Sequence, residues 1–139
     1  MTAMFRAALA VSFAVLLASC GVKQSMEDAT AEISQFHTRY GKEDYKAIWA
    51  STSNDFRKIT TQDQFERLLT AIHGKLGVVK EAKQQGWQAN TNNGVSTVVI
   101  NTGTTFEKGD GTETFTFIRE GKDLKLLGYN IQSAALIYN

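Results

Sequence analysis

The sequence has 139 residues, with 15 Lys and Arg, 14 Asp and Glu, one cysteine and no proline. This length suits one domain of ordinary size but not two domains with separate cores. The near balance of charge excludes the basic excess that is typical of nucleic-acid-binding proteins, so we expect no nucleic-acid partner. A single cysteine excludes an intrachain disulfide, and the fold must therefore depend on packing.

Residues 1–19 have the pattern of a cleaved export signal. Arg6 supplies a positive charge, residues 7–18 form an apolar run interrupted only by Ser12, and small residues precede Cys20. A membrane-spanning helix needs about 20 apolar residues, so this run is too short to span and instead matches the apolar core of a signal peptide. The alternatives are a plain signal peptide followed by a chance cysteine, and an uncleaved anchor.

The end of this segment, Leu17, Ala18, Ser19 and Cys20, resembles the lipobox of bacterial lipoproteins. The resemblance implies that Cys20 becomes the first mature residue and carries a diacylglycerol and a further acyl chain such as palmitate. Lipoproteins of this type that stay at the inner membrane usually have Asp after the cysteine, whereas this chain has Gly21. We therefore expect a lipidated tether over residues 20–25. The lipid on Cys20 anchors the chain in the outer membrane, and the domain faces the periplasm.

Three helices are predicted next. The first begins near Met26, carries an apolar face that includes Ile33 and Phe36, and ends at Gly41. Residues 42–50 predict a second, short helix, followed by a polar break over residues 51–55. The third begins with a capping box, in which Thr61 is the N-cap and Gln64 reaches back to it, and ends at Gly74.

From there the apolar period changes to that of strands, predicted over residues 76–87, 95–107, 113–119 and 124–136. Gly86 is expected to mark a bulge, and residues 90–94 a turn-rich loop. Alternation places Phe115 and Phe117 on one face, and Leu127, Tyr129 and Ile131 together on one face. We thus expect residues 26–139 to form an α+β domain, with three N-terminal helices on one face of a curved four-stranded antiparallel meander sheet.

This pattern is similar to the NTF2-like (cystatin-like) superfamily of cone-shaped domains, and within it to small exported bacterial domains of unknown function. The likeness is carried by residues 41–49, 72–77 and 126–131. It implies a cone that is open at one end. Some superfamily members are enzymes that use an Asp or a His inside the cone to move protons next to a carbonyl.

The sequence contains no catalytic motif, so we expect no enzyme, no cofactor and no metal site. His37 and His73 have no Cys, Asp or Glu at the spacing of metal ligands, and structural or surface roles are favoured for both. The ionisable residues of the strands lie near turns and strand ends, which is typical of solvated sheet edges. These residues are Lys80, Glu81, Lys83, Glu107, Glu113, Arg119 and Lys125.

Several large aromatic residues are candidates for a ligand or partner pocket at the mouth of the cone. The alternative, which we favour, is that they fill the core; Trp87, beside a polar loop, is the one most suited to an exposed contact. The candidates are Tyr45, Trp49, Trp87 and Tyr129, together with Phe56.

We therefore expect a lipid-anchored, non-enzymatic binding or accessory module whose partner is a periplasmic protein or a small apolar ligand. The alternative is a small NTF2-like enzyme of the isomerase or hydratase type, with an acid or base that the sequence does not place. A homodimer formed through the sheet is also left open.

The lipid anchor predicts the outcome of one substitution. Cys20→Ala removes the acylated thiol, so the chain should be released to the soluble periplasm or remain unprocessed. Fractionation of cells followed by intact-mass measurement distinguishes these products. A Cys20→Ala chain that is still processed and bound to the membrane would contradict the lipoprotein assignment.

Overall fold

The computed structural model describes the backbone of residues 2–138 and the side chains of residues 21–138. Within these limits the chain has five helices and four strands, and the predicted α+β class with an antiparallel meander is confirmed. The sheet is open, with strand order β1-β2-β3-β4. The elements are α1 Thr2–Gly41, α2 Tyr45–Ala50, α3 Asn54–Ile59, α4 Gln62–Leu76, β1 Val79–Asn92, β2 Val95–Phe106, β3 Gly109–Glu120, β4 Asp123–Gln132 and α5 Ala135–Tyr138.

Helix α1 ends at Gly41, as predicted, but it begins well before Met26. Gly21–Ser25, expected as a tether, are helical and extend α1 toward Cys20. The side chains of the signal segment and of Cys20, on which the lipidation prediction depends, lie outside the described residues. Among the residues that are described, none of the helices has the combination of length and apolar character that a membrane span requires.

The core lies between the helices and one face of the sheet. Helix α1 contributes Ile33, Phe36 and Tyr40, all almost fully buried, which confirms the predicted apolar face. The sheet contributes alternate residues of its strands, because successive side chains point to opposite faces. These include Val98, Ile100, Phe115, Phe117 and Leu126.

Helix α4 begins with the capping box that the sequence predicts. The Thr61 side chain accepts a hydrogen bond from the Gln64 backbone N–H at 3.2 Å, and the Gln64 side chain accepts one from the Thr61 backbone N–H at 3.1 Å. The predicted end at Gly74 is wrong, because the helix continues to Leu76. Gly77, at φ 73°, is the cap, and this left-handed conformation favours glycine.

Two predictions about the element order are wrong, namely the count of three N-terminal helices and the end of the last strand. In the expected polar break, Ser53 accepts a hydrogen bond from Phe56 N–H and starts α3, which buries Phe56 against the core. At the other end of the chain, the predicted last strand stops at Gln132, opposite Thr112 of β3. The chain then turns into α5, whose Ala135 packs against the core.

The strands also differ in length and register from the prediction. The first hairpin is tight, since β1 continues to Asn92 and the turn is Asn93 and Gly94, both at positive φ. The bulge expected at Gly86 is confirmed. A further irregularity inserts Leu127 into β4 as an extra residue. Tyr129 and Ile131 pack against the core together, as expected, whereas Leu127 does not, so the prediction is wrong for Leu127.

The capping box predicts the effect of Thr61→Ala. This substitution leaves a backbone N–H at the start of α4 without its partner, and should lower the free energy of unfolding by about 1 kcal/mol. Thr70→Ala is the matched control, since Thr70 is exposed within the same helix and its hydroxyl bonds only the Glu66 carbonyl. Urea unfolding measures both, and equal stabilities would contradict the role of the cap.

Candidate ligand cleft and its buried carboxylate

A polar cluster interrupts the apolar face of the sheet. Thr102 and Thr104 of β2 lie on the same face as Val98 and Ile100, and each is less than 5% exposed. Glu113 of β3 is directly opposite Thr102 in the strand register and is 1% exposed. Because opposite residues in an antiparallel pair share a face, this register places the carboxylate under the helices.

Three side chains converge on the Glu113 carboxylate. Thr104 Oγ1 lies 2.6 Å from Oε1, and His37 Nε2, from α1, lies 2.8 Å from the same oxygen. Tyr129 Oη, from β4, lies 2.7 Å from Oε2. Three donors match the acceptor-only chemistry of an ionised carboxylate, so both hydroxyls and the imidazole Nε2–H donate to Glu113.

The direction of the next hydrogen bond follows from this arrangement. Thr102 Oγ1 and Thr104 Oγ1 are 3.1 Å apart. A hydroxyl has one proton, and that of Thr104 is donated to Glu113, so Thr102 must donate to Thr104. The network therefore runs from Thr102 through Thr104 to Glu113, and from His37 and Tyr129 to the same carboxylate.

The bulge in β4 is what brings Tyr129 into the network. From Glu120 opposite Asp123 to Phe117 opposite Leu126 the pairing is regular, and Leu127 is then the extra residue. Beyond it, Tyr129 lies opposite Phe115 and so on the face of Glu113. Without the extra residue, Tyr129 would point to the other side of the sheet.

Burial of this carboxylate sets the energetics of the cluster. Moving an ionised carboxylate out of water costs several kcal/mol, and each hydrogen bond to it offsets about 1.5–3 kcal/mol. Burial, together with the charge of Glu113 and the hydrogen bond to it, raises the pKa of Tyr129 well above its ordinary value. The Tyr129 hydroxyl is therefore held in its protonated, donating form.

A cleft of about 460 Å³ lies beside this network, between α1 and the strands β1 and β2. His37 and Thr102 both line it, so two of the three outer members of the network border the cleft. Its other walls combine apolar side chains and hydroxyls with Lys80, Glu81 and Gln84 of β1. The apolar residues are Ile33, Val79, Ala82 and Ile100, and the hydroxyl residues of α1 are Thr30, Ser34 and Thr38.

The network offers the cleft hydrogen-bond acceptors. Within residues 21–138, Nδ1 of His37 forms no hydrogen bond, and in the neutral ring it carries a lone pair because Nε2 holds the proton. Thr102 has given its proton to Thr104, so its oxygen also remains an acceptor. A molecule that uses both groups must donate N–H or O–H.

The four predicted pocket residues are not brought together. Tyr45 is buried and contacts Tyr40, whereas Trp49 packs against Phe56 and Phe65, as the core alternative expects. Trp87 is 52% exposed on β1. Tyr129 alone belongs to the network.

The assignment of Glu113 to a solvated sheet edge is wrong. Glu113 precedes Phe115 and Phe117 by two and four residues, so the strand period that places those rings inward also places the carboxylate inward. Its closeness to Gly109 and Gly111 concealed this signal, because glycines suggest a turn, whereas the turn is at residues 107–108 and both glycines belong to β3. His37, four residues after the buried Ile33, likewise lies near the apolar face of α1.

His73 lies apart from this network. Its ring contacts Tyr40, with centroids 5.1 Å apart, and its Nδ1 is 3.9 Å from Glu43 Oε1. Over the part of the chain whose side chains are described, no group of three or more His, Cys, Asp or Glu residues is arranged to hold a metal ion.

A comparison with known proteins identifies the family of this chain. Residues 32–129 match the family described as a protein of unknown function, DUF4019. The chain belongs to the DUF4019 family. The matched segment begins within α1 and ends at Tyr129, so the DUF4019 domain of this chain contains every member of the Glu113 network. No curated protein matches the chain.

The raised pKa of Tyr129 predicts how stability depends on pH. Below about pH 10 the tyrosine is protonated in both the folded and the unfolded chain, whereas above it the unfolded chain loses the proton first. Stability should therefore fall as pH rises. Tyr129→Phe should remove about 1.4 kcal/mol of the stability that is lost between pH 9 and 11 (~2 units), most of it above pH 10, as measured by urea unfolding.

The remaining alkaline slope should come partly from Tyr40 and Tyr45, whose pKa values burial also raises. At neutral pH, Tyr129→Phe should still destabilise the fold by about 1.5–3 kcal/mol, because Glu113 loses a donor. An unchanged alkaline slope would contradict the position of Tyr129 in the network.

Proposed function

We propose that this chain is a lipid-anchored protein of the bacterial envelope whose DUF4019 domain binds a small ligand in the cleft beside His37, without chemical turnover. The observation that carries the proposal is the position of His37. Its ring borders the cleft on one side and is held by the buried Glu113 carboxylate on the other, at 2.8 Å. A side chain fixed in this way is ready to bind without a further loss of conformational entropy.

The cleft itself supports a small ligand. Its volume of about 460 Å³ lies within the range of known small-molecule sites, which are mostly apolar with a few placed polar groups. The apolar wall residues Ile33 and Ile100 contact the body of such a ligand, and His37 and Thr102 accept hydrogen bonds from it. The ligand is therefore a compact, largely apolar molecule with a hydroxyl, amine or amide N–H group.

The anchor is supported by the sequence before the domain. Leu17 to Cys20 resemble a lipobox, and several acyl chains on one residue would give an anchor that does not dissociate readily. Gly21 favours the outer membrane, with the domain in the periplasm. The helical conformation of Gly21–Ser25 implies that the domain follows the anchor as a continuation of α1.

An NTF2-like architecture is also part of the proposal. It is supported by helices that pack on one face of a four-stranded antiparallel meander sheet, and by a cleft that lies between the long first helix and the sheet. Glu113 also places a polar cluster within the apolar face of that sheet, as expected for a cone-shaped domain whose interior contains a functional site.

One observation favours an enzyme as the second candidate. His37 and Glu113 form a pair in which a carboxylate holds an imidazole, and the unprotonated Nδ1 is a candidate general base for a proton of a molecule in the cleft. This supplies the acid or base residue that the sequence does not place. The reaction would be a proton abstraction, with His37 as the base and Glu113 as its positioning residue.

Blocking the cleft tests the binding function. Ser34 is exposed, lines the cleft on α1 and makes no side-chain hydrogen bond among the described residues, so Ser34→Trp should fill the site and leave the fold intact. Native mass spectrometry of the protein, extracted in detergent from its own membranes, should show a small added mass beyond the acyl groups. That mass should be absent from Ser34→Trp.

Thr70→Trp is the matched control, because Thr70 is an exposed α4 residue away from the described clefts, and it should retain the ligand.

His37→Gln separates the two functions. If the chain only binds, His37→Gln should hold less of the same molecule, and the molecule on the wild type should keep its carbon-bound protons in D₂O. If the chain is an enzyme, the wild type should exchange a carbon-bound proton of the molecule for deuterium, and His37→Gln should not. An added mass that persists in Ser34→Trp would contradict both candidates.

A further inference from the structure

The two edge strands of the sheet differ in whether their outer backbone groups form hydrogen bonds. The outer edge of β4 is partly covered, since Ser53 N–H donates to the Leu126 carbonyl at 2.8 Å and Leu126 N–H donates to the Ser51 carbonyl at 3.1 Å. In the described chain, β1 forms backbone hydrogen bonds with β2 alone, so its outer edge has no partner. Every residue of β1 except Val79 and Gly86 is exposed.

Half of this edge also lacks the features that prevent edge strands from pairing. Natural edges are usually protected by charge, proline or bulges. The first half of β1 has such protection, with Lys80, Glu81, Lys83 and two bulges. Beyond Gly86 the strand is regular and uncharged through Asn92, a length of about 20 Å.

An exposed aromatic residue lies on the same segment. Trp87 is opposite the buried Ile100 and therefore points to the helix-covered face of the sheet, yet it is 52% exposed. The helices thus leave this ring uncovered. A further strand placed beside β1 would bring side chains next to Trp87 and cover part of it.

We infer that this edge, residues 86–92, pairs with the same edge of a second copy of the chain. Antiparallel pairing of identical strands is two-fold symmetric and requires only one kind of surface. A two-fold axis near Ala89 places Gln88 of each copy opposite Asn90 of the other and joins the two sheets into one of eight strands. This interface is separate from the His37 cleft and does not depend on the proposed function.

The chemistry of the edge favours a second copy as the occupant. Gln88, Asn90 and Asn92 share one face of the strand, and an amide side chain both donates and accepts, so it is complementary to another amide. Antiparallel pairing also keeps the charged halves of the two strands apart. The Lys80 and Lys83 side chains of the two copies lie at opposite ends of the joined strands.

A pair of charge substitutions tests this interface. In the double variant Gln88→Lys/Asn90→Lys, lysines of the two copies face each other, and dimerisation should weaken about tenfold or more. Mixing it with Gln88→Glu/Asn90→Glu should restore a dimer that contains one chain of each kind. Native mass spectrometry of the full lipidated protein, released from detergent micelles, identifies each species by its mass.

The opposite edge provides the control. Asn130 and Gln132 are an exposed Asn and Gln two residues apart on β4, and Asn130→Lys/Gln132→Lys should leave the dimer unchanged. A wild-type chain that is monomeric, or a dimer that survives Gln88→Lys/Asn90→Lys, would overturn the inference. So would a stoichiometric complex with a foreign peptide that is lost in that variant, since the edge would then serve another partner.

Discussion

The buried charge of Glu113 is the constraint on which the rest of the site depends. A carboxylate that is 1% exposed is tolerated only if donors replace water, and here they come from three separate elements. Helix α1 provides His37, strand β2 provides Thr104, and strand β4 provides Tyr129. The helix layer and three strands are therefore fastened at one point, and the same contacts fix the His37 ring at the border of the cleft.

The hydrogen bonds to Glu113 that stabilise the fold also fix the His37 ring for its proposed role in the cleft. An apolar residue in place of Glu113 would avoid the cost of burying a charge, so the carboxylate is an expensive choice for a residue that only fills space. What it adds is a defined imidazole orientation and a pair of acceptors, His37 and Thr102, beside an apolar wall. These features are the basis on which we propose a ligand that is largely apolar and carries a donor group.

Much of the fold follows from the sequence, because its periodicities are strong. The apolar face of α1, the Thr61 capping box, the Gly86 bulge and the antiparallel meander all have local signals. The site was harder to predict from the sequence. The strand period does place Glu113 on the inward face, but its closeness to a turn suggested an exposed position. The position of Tyr129 depends on an extra residue in β4 for which the sequence has no local signal. The added helix α3 depends on Ser53, whose capping role appears only once Phe56 is known to be buried.

The hydrogen-bonding state of His37 tests this account most directly. ¹⁵N NMR of the labelled protein reports which ring nitrogen carries the proton in the neutral ring and how fast that proton exchanges with water. The account predicts a slowly exchanging proton on Nε2 and an unprotonated Nδ1, both dependent on Glu113 and altered in Glu113→Gln. A proton on Nδ1, or an Nε2 proton that exchanges as freely as that of an exposed histidine, would contradict it.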